Sequence, residues 1–475
     1  VIQLSLKQLH DIVGGHLRHN AAAAPDGISL HRVCSDSRQV EAGDVFWGLV
    51  GPHHDGAAFV DEAFARGAVG AIVQKSDLEP RSGRFCLSVD NTTEALWKLA
   101  RWNRGQFRGR VIALTGSVGK TTTREMIHTV LGSELRGSAS PHNFNNHVGV
   151  PLSLLGIDAN DQYAVIELGA NAPGEIAALA DLARPDTGVV THLGDAHLEG
   201  FKDRRSIGRA KAELLAALPP GGLAVLNGDD TLLRSVAADC SAGIRWVGRD
   251  RACDLVATEI RCQEGWLSFI ADDTLFRLPV WGRHQVTSAL LAIEVGRQMG
   301  VSMTQIAEAL EGFCPPPMRC EVVREGDLTI VNDTYNSSPM AMRAALDLLR
   351  DIRADGGRIV VCGDMAEQGQ QAERMHREIG GEVVTRCGAD WLIACGEHAE
   401  EVKAGAIAAG MPSRRAVACR FAEETLPQLE HAISPGAVVL VKGARRLKME
   451  SIVKALRFER PSQPSQTTCE NQRVA

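Results

Sequence analysis

Val111-Ile112-Ala113-Leu114-Thr115-Gly116-Ser117-Val118-Gly119-Lys120-Thr121-Thr122 decides the fold. Val111–Leu114 is a short, unbroken apolar run, the pattern of a strand buried on both faces. A glycine-containing turn follows, and Arg124–Leu131 then carries helical apolar spacing. Strand, glycine turn, Lys-Thr and helix together make the arrangement that holds a polyphosphate. Gly116 and Gly119 let the backbone N–H groups from Gly116 through Ser117, Val118, Lys120, Thr121 and Thr122 turn inward, and the helix start adds partial positive charge. Lys120 would neutralise phosphate oxygens, and Thr121 would offer its hydroxyl to Mg²⁺. The common pattern, G-x-x-x-x-G-K-[ST], puts its first glycine at position 114, where this chain has Leu114. What remains is a shorter G-x-x-G-K-T-T. An ordinary strand-to-helix turn with a solvated lysine is the competing reading of the same residues.

Outward from this loop, the apolar runs Ala164–Leu168, Gly188–Thr191 and Leu223–Leu226 alternate with helical patterns. That rhythm predicts a central α/β domain over 108–314, of P-loop type, with a mostly parallel sheet and helices on both faces. Upstream, 1–107 holds short strand-like pieces at Val45–Val50 and Ala71–Gln74 and a helix at Val60–Arg66 stopped by Gly67, which predicts a small α/β domain. Downstream, Pro315-Pro316-Pro317 reads as a stiff linker. Thr329–Val331, Ile359–Cys362, Trp391–Ala394 and Val438–Val441 then alternate with helices such as Met340–Leu349, a Rossmann-like α/β domain over 315–457. It has no G-x-G-x-x-G, so dinucleotide binding is not supported. Residues 458–475, rich in Pro, Ser, Gln and Thr, read as a disordered tail.

The 475 residues are 44 % hydrophobic and 23 % charged, a globular composition that suits about three domains. The net charge of −7 gives no general pull towards nucleic acid or anionic membrane, and no apolar run is long enough to insert into one. Any anionic ligand must be held by local sites. Twelve cysteines are scattered without a C-x-x-C pair. Val1–His10 lacks the basic head and apolar core of a signal peptide. The expectation is a cytoplasmic protein with reduced thiols, many of them buried.

Glu167 ends an apolar strand, where a carboxylate points into the crevice that binds ligands in α/β sheets; a rim carboxylate is the competing reading. His192 and His197 lack zinc spacing, and on residues alone each reads as a hydrogen-bonded structural histidine. Lys211, in the helical stretch Ser206–Leu218, reads on residues alone as a surface lysine. An oxygen-rich set without thiols fits Mg²⁺ better than zinc.

Taken together, the motifs resemble the Mur ligase family, the ATP-dependent amide-forming enzymes of peptidoglycan precursor synthesis, from about Cys34 to Glu450. The loop Thr115–Thr122 is that family's own short phosphate loop. Further motifs are Asn143-Phe144-Asn145-Asn146-His147-Val148-Gly149-Val150-Pro151, Glu167-Leu168-Gly169-Ala170-Asn171 and Ala196-His197-Leu198-Glu199-Gly200-Phe201. Asn332-Asp333-Thr334-Tyr335-Asn336-Ser337-Ser338-Pro339 and Lys442-Gly443-Ala444-Arg445 complete the set. These resemble most the branch that joins D-alanyl-D-alanine to a UDP-N-acetylmuramoyl-tripeptide, so the resemblance implies those two substrates, ATP and Mg²⁺, and a monomer. It implies that Lys120 contacts ATP phosphates, and that Thr121, Glu167 and His197 ligate Mg²⁺. Lys211, in Ala210-Lys211-Ala212-Glu213, matches the lysine that the family carbamylates with CO₂, which would make it a carboxylate-like metal ligand. His284, Arg319 and Asp333 match nucleotide-contacting positions, with Asp333 at the ribose. Tyr335 and Asn336 would lie near the dipeptide, and Lys442 and Arg445 near the reacting phosphate and carboxylate. Asn143, Asn145 and Asn146 fall in a substrate-binding motif, and Ser35-Asp36-Ser37-Arg38 with Asp55-Gly56 resembles the UDP-binding domain, where Ser37 and Arg38 would hold the diphosphate.

Four positions depart from the family pattern. Gln285 and Ser288 stand where it has Asn near the adenine, His147 replaces an acidic residue and Ala444 a Ser. A sibling ligase adding the third peptide residue is the first rival, although its variant for diaminopimelate carries Asp-Asn-Pro-Arg, absent here. A folylpolyglutamate synthase-like ligase and a nucleotide-binding regulatory protein without catalysis are the others.

Overall fold

The computed structural model describes residues 4–20, 29–30, 32–52, 54–75, 78–195 and 199–458. His197 and the expected tail beyond 458 lie outside the described residues.

The predicted phosphate-loop strand forms over Arg110–Thr115, inside a seven-stranded parallel sheet. Its neighbours are Tyr163–Glu167 on one side and Thr187–Val190 on the other. Outward from the latter run Leu223–Asn227, Gly243–Gly248 and Leu255–Val256, while Gly137–Ala139 closes the opposite edge. Alternation along the strand sends Val111 and Ala113 to one face and Ile112 and Leu114 to the other, and each set is buried in a different core. Both faces are therefore covered by helices, which is why the strand reads as continuously apolar. Ile112 and Leu114 share their core with Ile127 and Val130 of the Lys120–Gly132 helix and with Leu290 and Leu291 of Gln285–Gln298.

The sequence reading does not contain the antiparallel three-stranded sheet Thr258–Gln263, Trp266–Ala271 and Thr274–Leu278. One face of it is open to solvent, so its residues alternate polar and apolar instead of forming an apolar run.

The first segment holds a five-stranded sheet in the order His16–Asn20, Arg84–Val89, Gly70–Gln74, Val45–Trp47, Val33–Cys34. The expected strand Val45–Val50 stops at Trp47, because Gly48 and Gly56 pack backbone to backbone. A Cβ on Gly56 would lie 2.4 Å from the Gly48 Cα. Helix Thr92–Gln106 seats this segment on the central one: the Asn103 amide donates to the Leu154 carbonyl at 2.8 Å and Arg104 Nε to that of Ala183 at 2.6 Å.

The last segment is a six-stranded sheet ordered Glu321–Glu325, Leu328–Asp333, Val438–Lys442, Arg358–Gly363, Trp391–Cys395, Ala416–Cys419. Only its first pair is antiparallel. Eight of the described cysteines are buried free thiols. Among the described residues, no helix is long and apolar enough to cross a membrane.

Candidate active site

The turn after Arg110–Thr115 needs its glycines. Gly116 has φ +148°, and a Cβ there would lie 2.0 Å from Thr191 Oγ1. Gly119 caps the Lys120–Gly132 helix in a left-handed conformation, with no side-chain cap on the first N–H groups. Those donors therefore face the loop. Ser117 N–H donates to the His192 carbonyl at 2.7 Å and Ser117 Oγ to that of Gly194 at 3.0 Å, while Thr191 Oγ1 donates to Val118 O at 2.6 Å. The loop is thus held on the end of the adjacent strand. Lys120 curls back to the Gly116 carbonyl at 2.9 Å, and burial lowers the pKa of its ammonium.

Glu167, at the end of the next strand, is 1 % exposed. It accepts from Thr121 Oγ1 (3.1 Å), Asn145 Nδ2 (2.8 Å) and Arg124 Nη1 (3.1 Å), and its own N–H donates to Ser140 Oγ (3.1 Å). Arg124 is a site residue the sequence reading missed. Its signal was the spacing: it lies four residues after Lys120 on one helix, hence on the same face. From the last segment, Arg319 Nη2 reaches Thr121 Oγ1 at 3.0 Å, and its guanidinium lies 4.0 Å from the Tyr335 ring centre. Arg445 approaches the same ring at 5.9 Å and pairs with Glu450 at 3.0 Å.

Lys442 is 1 % exposed and donates to Asp333 Oδ2 at 2.6 Å and to the Asn336 carbonyl at 2.8 Å. It faces Asp333 directly across two parallel strands. Burial lowers the pKa of His284 to about 4 and keeps it neutral; its Nε2 lies 3.8 Å from Cys320 Sγ.

Lys211 corrects the surface reading. It is 2 % exposed in the Arg204–Ala216 helix, and its amine has one acceptor among the described residues, the Ala170 carbonyl at 3.3 Å. Periodicity placed the helix but not the neighbours that bury this side chain. Burial first, and repulsion from Lys120 second, pull its pKa down to about 7. His192 corrects the other reading: its Nδ1 is buried without a hydrogen-bond partner.

Not every expected residue converges here. Ser37 Oγ donates to Glu62 at 2.7 Å, and Arg38 is paired with Asp36 at 2.8 Å, both within the first segment. The Asn146 side chain accepts from the N–H groups of Val148 and Gly149, and Asn143 is exposed beside it.

Two family descriptions match the chain: the Mur ligase middle domain over 114–296 and the Mur ligase glutamate ligase domain over 318–445. A Bacillus subtilis UDP-N-acetylmuramoyl-tripeptide--D-alanyl-D-alanine ligase is 32 % identical over 457 residues, 96 % of this chain and 99 % of that protein. The chain belongs to the Mur ligase family. Its Escherichia coli relative of the same name is 33 % identical, again over 96 % of this chain and 99 % of that one. Among solved structures, MurF from Acinetobacter baumannii superposes with a TM-score of 0.84 at 29 % identity, covering 96 % of this Mur ligase and 99 % of that chain. MurF from Thermotoga maritima, in complex with ADP, gives 0.77 at 29 % identity over 90 % and 97 %. This Mur ligase therefore shares an α/β architecture of several parallel sheets with both structures, the second of which holds ADP.

The donor set fits Mg²⁺. Thr121 and Glu167 supply adjacent oxygens, hard donors of the kind the ion takes. Among the described residues Lys211 has one carbonyl partner and no carboxylate within hydrogen-bond distance, a poor home for a permanent ammonium and one that suits an amine converted to an oxygen ligand.

Proposed function

We infer that this protein is an ATP-dependent ligase that joins D-alanyl-D-alanine to a UDP-N-acetylmuramoyl-tripeptide. The observation that carries this reading is the hydrogen-bonded chain from Arg319 to the buried Thr121 and Glu167 against the phosphate loop, in a protein that aligns over nearly its whole length with ligases of that name. The tripeptide's terminal carboxylate oxygen attacks the γ-phosphorus of ATP and ADP leaves, giving an acyl phosphate. The dipeptide amine then attacks the acyl carbon, loses a proton, and phosphate departs. A free carboxylate is a poor electrophile, which is why the phosphoryl group is spent first.

The chain's own work is positioning and charge neutralisation. Lys120 moves from the Gly116 carbonyl to phosphate oxygens, and the uncapped N–H groups of the helix meet the same anion. Arg319 leaves Thr121 to face the phosphates, and Arg445 meets the reacting carboxylate. Lys442 holds Asp333 for the ribose and fixes the Tyr335-Asn336 loop for the dipeptide, so its role is to position those residues. Mg²⁺, when bound, supplies charge neutralisation on the phosphoryl oxygens; Thr121, Glu167, His197 and a carbamate on Lys211 would hold it. Segment 1–107 takes the UDP end with Ser37 and Arg38, 108–314 takes ATP, and 315–457 takes the dipeptide.

ADP release in the presence of UDP-N-acetylmuramoyl-tripeptide tests the assignment. It should rise steeply on adding D-alanyl-D-alanine. Release indifferent to the dipeptide, or driven equally by a free amino acid or by folate with glutamate, would overturn it.

A further inference from the structure

Asp364 follows the strand Arg358–Gly363, which pairs with Val438–Lys442, the strand that leads into Arg445. The two strand ends meet closely. A Cβ on Gly363 would lie 3.3 Å from the Gly443 Cα and 2.6 Å from Leu447 Cδ1. Asp364 is 2 % exposed, and a carboxylate buried so deeply persists only where donors surround it.

Its donors come from two directions. On one side lie the N–H groups of Glu397 and His398, just ahead of the Ala399–Ala408 helix. They donate to Oδ2 and Oδ1, each at 3.0 Å. Gly396 has φ +119° there, and a Cβ on it would lie 2.4 Å from Oδ2, so the backbone closes directly on the carboxylate. On the other side Arg446 Nη2 donates to Oδ2 at 2.9 Å, and Ala444 N–H donates to the Asp364 backbone carbonyl at 3.0 Å.

These last two contacts flank Arg445. One residue thus holds the chain immediately before and immediately after it. The Arg445 side chain itself is more than half exposed, with Glu450 at 3.0 Å and the Met318 sulfur at 3.7 Å as its partners. A fixed backbone under a movable guanidinium suits a group that must leave Glu450 and meet a substrate at a set distance. Arg446 is drawn the other way, to Asp364 and to Glu397 at 3.5 Å. Of the two adjacent arginines, Arg445 is therefore the one left beside the Tyr335 ring.

We propose that Asp364 is a positioning residue for the ligation step, which acts through Arg445 by anchoring the loop on both sides of it. The proposal rests on the role of Arg445 in the proposed function. Steady-state ADP release by the full chain, with UDP-N-acetylmuramoyl-tripeptide and D-alanyl-D-alanine, tests it in two backgrounds. Arg445→Ala should lower kcat by about 10²-fold, the scale of one donor lost from a developing charge. The isosteric Asp364→Asn should lower kcat by a similar order and leave KM for ATP unchanged, since a small misplacement of a reacting group costs that much. Arg446→Met, which spares the backbone donors of Asp364, should lose less. In the Arg445→Ala background both further substitutions should cost nothing more, because the residue they act through is gone. A purely structural carboxylate behaves differently: Asp364→Asn would then lower the melting temperature and leave kcat intact. That result, or the same fold loss in both backgrounds, overturns the proposal while Arg445 keeps its role. If Asp364→Asn does not fold, Arg446→Met at the half-exposed partner decides by the same comparison. Full kcat in Arg445→Ala would overturn the role of Arg445, and the proposal with it.

Discussion

Lys211 is the residue on which the proposed metal site is most open to test. Its ammonium is destabilised by burial and by Lys120, so near pH 7 much of it is the neutral, nucleophilic amine that CO₂ requires. Lys211→Ala should lose about 10²-fold in turnover at saturating Mg²⁺, the scale for removing a metal ligand's function. Undiminished turnover would remove Lys211 from the site. The same shift predicts a stability signature. The unfolded lysine keeps its proton up to about its ordinary value of 10.5, whereas the folded one sheds it near 7. Between these values the unfolded state binds more protons, so Lys211 contributes stability that increases with pH. In CO₂-free buffer without metal, the wild type should therefore gain on Lys211→Met in unfolding free energy from about pH 7 to about pH 9. A difference flat with pH would contradict the buried ammonium. The family resemblance singles out Lys211, but its burial was not legible in the residues, because Arg204–Ala216 alternates charge like a solvated helix and the burial comes from segments distant in the chain.

Elements differ in how openly the sequence announces them. Arg110–Thr115, Tyr163–Glu167 and Val438–Lys442 are covered on both faces, so each shows as an apolar run and was readable within a residue or two. The three-stranded sheet at 258–278 was not, because its open face carries charges. The phosphate loop was legible for a covalent reason: only glycine fits at 116. Gly116→Ala forces a methyl into Thr191 Oγ1 at 2.0 Å and would push the loop off the Thr187–Val190 strand. It should cost about 1–3 kcal/mol in stability and weaken ADP and tripolyphosphate binding alike. Calorimetry showing normal affinity for both would mean the loop tolerates the shift. The pairing of Lys442 with Asp333, 109 residues apart, had no local signal at all.

Across the whole molecule, the central and last segments meet at several points besides Arg319 and Thr121. Arg283 pairs with Asp351 at 3.4 Å, and Glu199 N–H donates to the Glu367 carbonyl at 3.1 Å. Met340 packs so close to Gly194 that a Cβ there would lie 2.7 Å from its Cε. Arg319 donates to the Thr121 hydroxyl that Mg²⁺ would use in the proposed function, and on that reading Mg²⁺–ATP displaces it. Arg319→Ala should enlarge the radius of gyration of the ligand-free protein in solution scattering and raise KM for ATP about 10-fold, the order expected for a charge-assisted hydrogen bond. An unchanged radius would show that the other contacts suffice to hold the segments together. The net charge of −7 belongs at this scale too, since in the proposed function two anionic substrates and the carboxylate of the dipeptide are met by a few locally placed cations and not by a basic surface. The order of strands in the last sheet also bears on how the protein is made. Val438–Lys442 comes last in sequence, yet it is inserted between Leu328–Asp333 and Arg358–Gly363, in the interior. A ribosome must therefore deliver the chain through Lys442 before this sheet can close. Until then Asp333 lacks its lysine and the Tyr335-Asn336 loop lacks its anchor, so a nascent chain can present a complete phosphate loop while remaining unable to ligate.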